Sequence, residues 1–213
     1  MAGGFNDFLR AAVVCRRLPA GTGVLLTFDD GPDPAVTPGV LDRLRMVGAR
    51  AAFFVLGQRA EAYPDLLRRI RDNGHVIGNH SHSHLHPHPL HPMAYRQDLA
   101  RCQEVIARIA NVRPRLFRPP YGRLTPVSLL APRTLGMRPV TWSLDVADYG
   151  RTDEVSATQA GDELLARVRP RDIVLLHDNH SGVLTVLDRA LPGLVERRFD
   201  LADGVREIVR RAA

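Results

Sequence analysis

The feature that most constrains the fold is an alternation. Short apolar, β-branched runs recur along the chain, and amphipathic helical patterns separate them. Candidate strands begin near Val24, Ala51, His75, Arg115, Arg138, Ile173 and Phe199, which makes seven. After the first, Thr37 reads as an N-cap with Pro38 at the first helical position; Val40, Leu41, Leu44 and Val47 share one face, and Gly48 stops the helix. Pro64 opens the next helix, with Leu66, Leu67 and Ile70 inside and Gly74 closing it. Pro92 starts a longer one marked by Leu99, Cys102, Ile106 and Ile109. Strands alternating with helices pair in parallel through right-handed crossovers. An eightfold barrel takes about 250 residues; here 213 residues carry seven units. The expected fold class is therefore α/β, an irregular, TIM-barrel-like (β/α)7 barrel in a single domain, with residues 1–23 as an N-terminal extension and 24–213 as the domain proper.

Charge and hydropathy exclude other classes. The net charge is +6, and every basic side chain is arginine, since the sequence contains no lysine. The arginines come singly or in pairs such as Arg68 and Arg69, without the tight run of a nucleic-acid tract, so no nucleic-acid partner is expected. Apolar runs such as residues 51–57 fall far short of the roughly 20 residues of a membrane span. Cys15 and Cys102 are the only cysteines, and a chain of this length needs no disulfide staple. Arg10 and Arg16 flank Ala-Ala-Val-Val-Cys, shorter than the roughly 7 to 15 residues of a secretory core. As written, the chain reads as cytoplasmic; removal of a leader would make it extracellular or periplasmic.

In such sheets chemistry belongs at the C-terminal ends of the strands, and the polar residues there are far from random. Asp29 and Asp30 follow the first run, Asn79, His80 and His84 the third, Arg118 the fourth, Asp145 and Asp148 the fifth, His177 and Asp178 the sixth. Two imidazoles four residues apart, with a carboxylate from a neighbouring strand end, make the three-ligand set of a catalytic zinc site with one open position. Asp30, His80 and His84 fit it. The six histidines crowded into residues 80–91 read equally, taken alone, as a solvated loop that binds metal adventitiously. Asp29-Asp30 before Gly31-Pro32 reads as turn chemistry or as a ligand beside a base. In the second case the base takes a proton from a water acidified by the metal.

Five segments in order, Thr-Phe-Asp-Asp-Gly-Pro (27–32), Asn-His-Ser-His-Ser-His (79–84), Phe-Arg-Pro-Pro-Tyr-Gly (117–122), Asp-Val-Ala-Asp-Tyr (145–149) and Ile-Val-Leu-Leu-His-Asp (173–178), resemble the motifs of the polysaccharide deacetylase family. This is the NodB-homology or carbohydrate esterase family 4 domain, and the resemblance runs from Val24 nearly to the C-terminus. It implies a metal-dependent hydrolase that removes N-acetyl groups from an N-acetylhexosamine-containing carbohydrate. Asp29 would be the general base and Asp30, His80 and His84 the ligands of one divalent metal. Zinc fits that set best, with Co2+, Mn2+ and Ni2+ as other fits. Arg118 would pair with and orient Asp29, and the Tyr121 backbone N–H would stabilise the oxyanion. His177, oriented by Asp148, would be the general acid, and Leu175 would line the acetyl pocket. Taken singly, Arg118 also reads as a structural ion-pair residue, Asp148 as a turn residue and His177 as a core histidine.

Two features depart from the family pattern. Tyr149 stands where the family commonly has tryptophan, at the wall that shapes the sugar site, while Trp142 on the same strand reads as core. His82, His86, His88 and His91 are not family ligands; a second metal, substrate contact and no role at all are open to them. Two other functions also stay open: a deacylase of the same fold acting on O-acetyl esters or another linear amide, and a non-catalytic carbohydrate- or metal-binding relative. Retention of both Asp29 and His177 favours the enzyme.

Overall fold

The computed structural model describes residues 14–212 except 20, 22, 89 and 152. Seven strands, β1 (Leu25–Asp29), β2 (Ala52–Val55), β3 (Val76–Asn79), β4 (Leu116–Phe117), β5 (Arg138–Pro139), β6 (Leu144–Asp145) and β7 (Ile173–His177), form one sheet in the order β5-β4-β3-β2-β1-β7-β6. Every pairing is parallel. The connections carry α1 (Thr37–Met46), α2 (Gly57–Ala62), α3 (Pro64–Asp72), α4 (Pro92–Ala110), α5 (Pro126–Leu130), α6 (Glu154–Arg167) and α7 (Gly182–Glu196), and α8 (Asp203–Ala212) closes the chain. This is the expected irregular seven-stranded barrel, curled and flanked by helices. Among the described residues no helix is long and apolar enough to cross a membrane. The apolar stretch after Arg10 begins outside them.

The strands are buried on both faces, which is why β1, β2 and β7 read as apolar runs rather than alternating patterns. Side chains still alternate in direction. Leu26, Phe28, Phe53 and Val55 pack outward against Val40, Leu44, Val186 and Leu187 of the helices. Leu25, Ala52, Phe54, Leu116, Val140 and Ile173 form a second cluster inside the barrel, floored by Leu18, Val205 and Ile208. Continuing the inward rows by steps of two reaches Thr27 and Asp29 on β1, Gly78 and His80 from β3, Arg118 after β4, Trp142 before β6, and Leu175 and His177 on β7. The period of the strand thus carries the interior row straight up to the polar residues at the mouth.

Two sequence expectations need correction. The run at Phe199 forms no strand: its N–H bonds to Leu194 O at the end of α7, and its ring lies under Arg197, 4.9 Å from the guanidinium carbon. The count stays at seven because the run from Arg138 divides. Its start pairs with β4 and its end, β6, with β7, so one segment spans both edges of the sheet. Thr37 does not cap its helix; it lies inside α1, accepts from Asp33 N–H at 2.7 Å and gives its hydroxyl proton to Asp178 Oδ2 at 2.5 Å. Residues 15–18 link the segment 139–141 to residues 171–172 just before β7. Cys15 bridges to Val140 and Arg17 to Asp172, and Arg17 also forms an ion pair with Asp172 at 2.6 Å. Val14, Cys15 and Leu18 are buried there.

Candidate functional site

A cleft of about 420 Å³ opens at the C-terminal ends of the strands, lined by Asp29, Asp30, His80, His84, Tyr121, Gly122, Trp142, Asp145, Tyr149, Leu175 and His177. Its floor is built around Arg118, whose side chain is 0% exposed. One terminal nitrogen donates to Asp29 Oδ1 at 2.8 Å and to Thr27 Oγ1 at 2.7 Å, and the other donates to Thr141 O at 3.2 Å. The guanidinium carbon stands 4.2 Å from the centre of the Phe54 ring and 5.6 Å from that of Trp142. A buried arginine survives only with such pairing, and here it fixes Asp29 in place.

Phe54 can lie under Arg118 because the neighbouring residue on β3 is Gly78. A Cβ there would fall 2.5 Å from the Phe54 ring. Gly78→Ala is therefore expected to lower stability by about 1–3 kcal/mol, the usual cost of overpacking, and to loosen Arg118. Urea unfolding of the variant measures the first effect, and a result within a few tenths of wild type would refute it.

Asp30, His80 and His84 come together in a loop rather than across a helical turn. Ligand atoms of Asp30, His80 and His84 lie within 4.8 Å of one another. Asp30 Oδ1 is 3.4 Å from His80 Nε2 and 3.3 Å from His84 Nε2, and it is buried without a hydrogen bond. Nδ1 of His80 bonds to Arg118 O at 2.8 Å, which directs Nε2 to Asp30. Asp30 and His84 both adopt left-handed backbone angles, with φ of 71° and 57°, strain that marks a site held by its surroundings. Burial works to raise the Asp30 pKa, but the adjacent His80 imidazole, with His84 and His177 beyond it, outweighs burial and brings it down to about 2. An orphaned, ionised carboxylate oxygen facing two imidazole nitrogens is a donor set suited to a divalent cation.

Across the cleft, His177 pairs in register with Asp29 on the adjacent strand. Its Nδ1 lies 2.8 Å from Asp148 Oδ1, and its backbone N–H donates to Asp148 Oδ2 at 2.7 Å. Burial depresses its pKa, yet the hydrogen bond and charge of the fully buried Asp148, with Asp29 and Asp30 beyond, raise it to about 9. Tyr121 sits in a left-handed turn, φ 59°, with its ring 4.5 Å edge-on to His84. Tyr149 packs edge-on against His177 at 5.4 Å. Leu175 is one inward step below His177. Asp178, the next carboxylate in sequence, is buried outside the cleft: it packs against Gly31 and bonds to Thr37, and burial raises its pKa to about 7.

Trp142, read from sequence as core, also faces the cleft and packs against Gly122. The additional histidines divide. His82 is buried beside Glu61, its Nε2 3.7 Å from the carboxylate, while His86 lies by Tyr121 and His88 by His91. Sequence reasoning missed Asp98, which accepts the His82 N–H and the Ser83 hydroxyl, each at 2.7 Å, and so folds the loop. It also missed His180, 3.3 Å from Asp148, and Asn179, which donates to Asp30 Oδ2 at 3.3 Å. No local signal distinguishes these residues from ordinary surface polar groups.

Comparison with known proteins points the same way. A family model described as Polysaccharide deacetylase matches residues 19–140. A peptidoglycan-N-acetylglucosamine deacetylase of Bacillus cereus is 36% identical over 175 residues, covering 80% of this chain and 62% of that protein. A chitooligosaccharide deacetylase of Azorhizobium caulinodans is 38% identical over 195 residues, covering 84% and 91%. The chain thus spans less than two thirds of the first relative and nearly all of the second. Among solved structures, the Bc1960 peptidoglycan N-acetylglucosamine deacetylase in complex with 4-naphthalen-1-yl-N-oxidanyl-benzamide superposes with a TM-score of 0.83 at 30% identity, covering 92% of each chain.

Proposed function

The chain belongs to the polysaccharide deacetylase family, and on that premise we propose that it is a metal-dependent hydrolase that removes N-acetyl groups from an N-acetylhexosamine-containing carbohydrate, releasing acetate. The observation that carries this reading is the register pair of Asp29 and His177, a base and an acid on adjacent strands beside the Asp30, His80 and His84 set. Chitooligosaccharide and peptidoglycan, the substrates in the relatives' names, are the first candidates.

Amide hydrolysis needs an activated water, stabilisation of the carbonyl oxygen and a proton for a basic leaving nitrogen. A divalent cation held by Asp30, His80 and His84, for which zinc is the best chemical fit, would supply Lewis acidity to the carbonyl oxygen and the water. Asp29 takes the proton from the attacking water. Its Oδ1 is engaged by Arg118, so Oδ2 receives it. Tyr121 offers its backbone N–H to the developing oxyanion. His177 donates from Nε2 to the departing nitrogen, because Nδ1 is committed to Asp148. Leu175 borders the space for the acetyl methyl group, and Trp142 and Tyr149 offer apolar walls to the sugar.

Acetate release from N-acetylglucosamine oligomers, peptidoglycan and O-acetylated xylan, with and without chelator, tests the reading. Chelator-sensitive release from an N-acetylated glycan is expected; release from the xylan alone would establish an esterase, and release from none would overturn the enzyme. The same assay across pH should show a basic limb. A His177 pKa raised to about 9 keeps the acid protonated through neutrality, and activity falls as pH rises through that value. Asp148→Asn removes the charge that raises it, so the limb should move to lower pH. An unmoved limb would assign it to another group.

A further inference from the structure

The proposed reaction leaves His180 unused. His180 lies in the turn between β7 and α7, 16% exposed; its Nε2 faces the buried Asp148 carboxylate, and its Nδ1 is buried without a hydrogen-bond partner. Native proteins rarely leave such an atom unpaired, and each instance calls for a physical explanation. His180 Nε2 is 3.3 Å from Asp148 Oδ2, while His177 Nδ1 is 2.8 Å from Asp148 Oδ1. Asp148, His177 and His180 offer ligand atoms within 4.8 Å of one another, the same donor chemistry as the Asp30, His80 and His84 set. In a tetrahedral shell with bonds near 2.0 Å, ligand atoms lie roughly 3.3 Å apart; each imidazole already stands at about that distance from an Asp148 oxygen, and rotation of the side chains within the 4.8 Å group would close it around an ion.

We propose that Asp148, His177 and His180 form a second divalent-cation site, of zinc-like preference, whose occupation inhibits the enzyme. A cation binding His177 at Nδ1 needs the lone pair there, so it replaces the proton held against Asp148, and that proton passes to solvent. His177 is left as a neutral imidazole with its proton on Nε2. Giving up that proton would create an imidazolate, so the ring becomes a far weaker acid than the imidazolium the leaving nitrogen requires. Binding at the second group thus removes the proton donor while leaving the first metal set and Asp29 in place. The inhibition rests on the deacetylase reading; the existence of the site does not.

The test uses zinc itself, buffered over a range of free concentrations, with bound zinc counted by elemental analysis after equilibrium dialysis. Wild type is expected to take up one zinc tightly and a second more weakly, and His180→Ala and His180→Asn are each expected to stop at one. A variant with His86, His88 and His91 all changed to Ala should still bind two. Wild type stopping at one, either His180 variant binding two, or the triple variant stopping at one would overturn the site. In the second arm, the one-zinc wild type is expected to lose at least tenfold of its acetate release as the second site fills, with recovery when free zinc is lowered. His180→Ala should keep its one-zinc activity and resist that loss. Equal inhibition of both proteins would overturn the inhibitory role. If no substrate is deacetylated, the zinc count still decides the site, so the two readings fail separately.

Discussion

His80→Ala is expected to remove metal and activity together. His80 is held from both sides: its Nδ1 bonds to Arg118 O at 2.8 Å, which fixes the ring orientation, and its Nε2 faces Asp30 Oδ1 at 3.4 Å. Removing the ring leaves two ligands, and the ionised Asp30 loses the partner that contributes most to lowering its pKa. Loss of an outer-shell partner alone typically costs about 10- to 100-fold in metal affinity, so loss of a ligand should exceed that and bring acetate release to background. Elemental analysis and the acetate assay measure the two losses on one sample. A full equivalent of metal with sustained turnover would move the site to other histidines.

Asp29→Asn should separate the same two quantities. Asparagine keeps the shape of the side chain and an oxygen for Arg118, but it cannot take a proton from water. Metal content should stay near one equivalent while turnover falls by about 10² to 10⁴, the usual contribution of a general base. Alanine would be a poor substitute. It would strand the fully buried Arg118 without its carboxylate, and breaking a buried pair in that way costs about 3–5 kcal/mol, so lost activity could reflect lost fold. Parallel unfolding curves for wild type and Asp29→Asn keep the chemical interpretation clean. Equal loss of metal in Asp29→Asn and His80→Ala would mean that the two aspartates exchange roles.

These expectations rest on residues that could be singled out before any coordinates. The alternation of apolar runs with helical patterns specified a parallel sheet, because only crossovers join parallel strands, and the polar residues after each run marked one end of it. The ordered motifs then identified the family. Legibility failed where pairing depends on distant partners. The run at Phe199 has strand composition, yet the sheet edges are already occupied by the two halves of residues 138–145, and Phe199 turns back against α7. Thr37 has cap chemistry, but its hydroxyl donates a hydrogen bond to the buried Asp178.

The fold class, the inward period of the strands and the residue types available for chemistry were legible in the sequence, since these depend on local patterning and on order along the chain. Distant pairing was needed to bring Cys15 to Val140 and Arg17 to Asp172, to lay Phe54 over Gly78 beneath Arg118, and to turn Trp142 to the cleft. It also separated the histidines, placing His80 and His84 around Asp30, His82 against Glu61 and His180 beside Asp148. The physical reason is that an imidazole's role is set by what lies within about 3 to 4 Å of its two nitrogens. In this barrel those neighbours come from segments up to 54 residues apart in the chain, as Asp30 and His84 show.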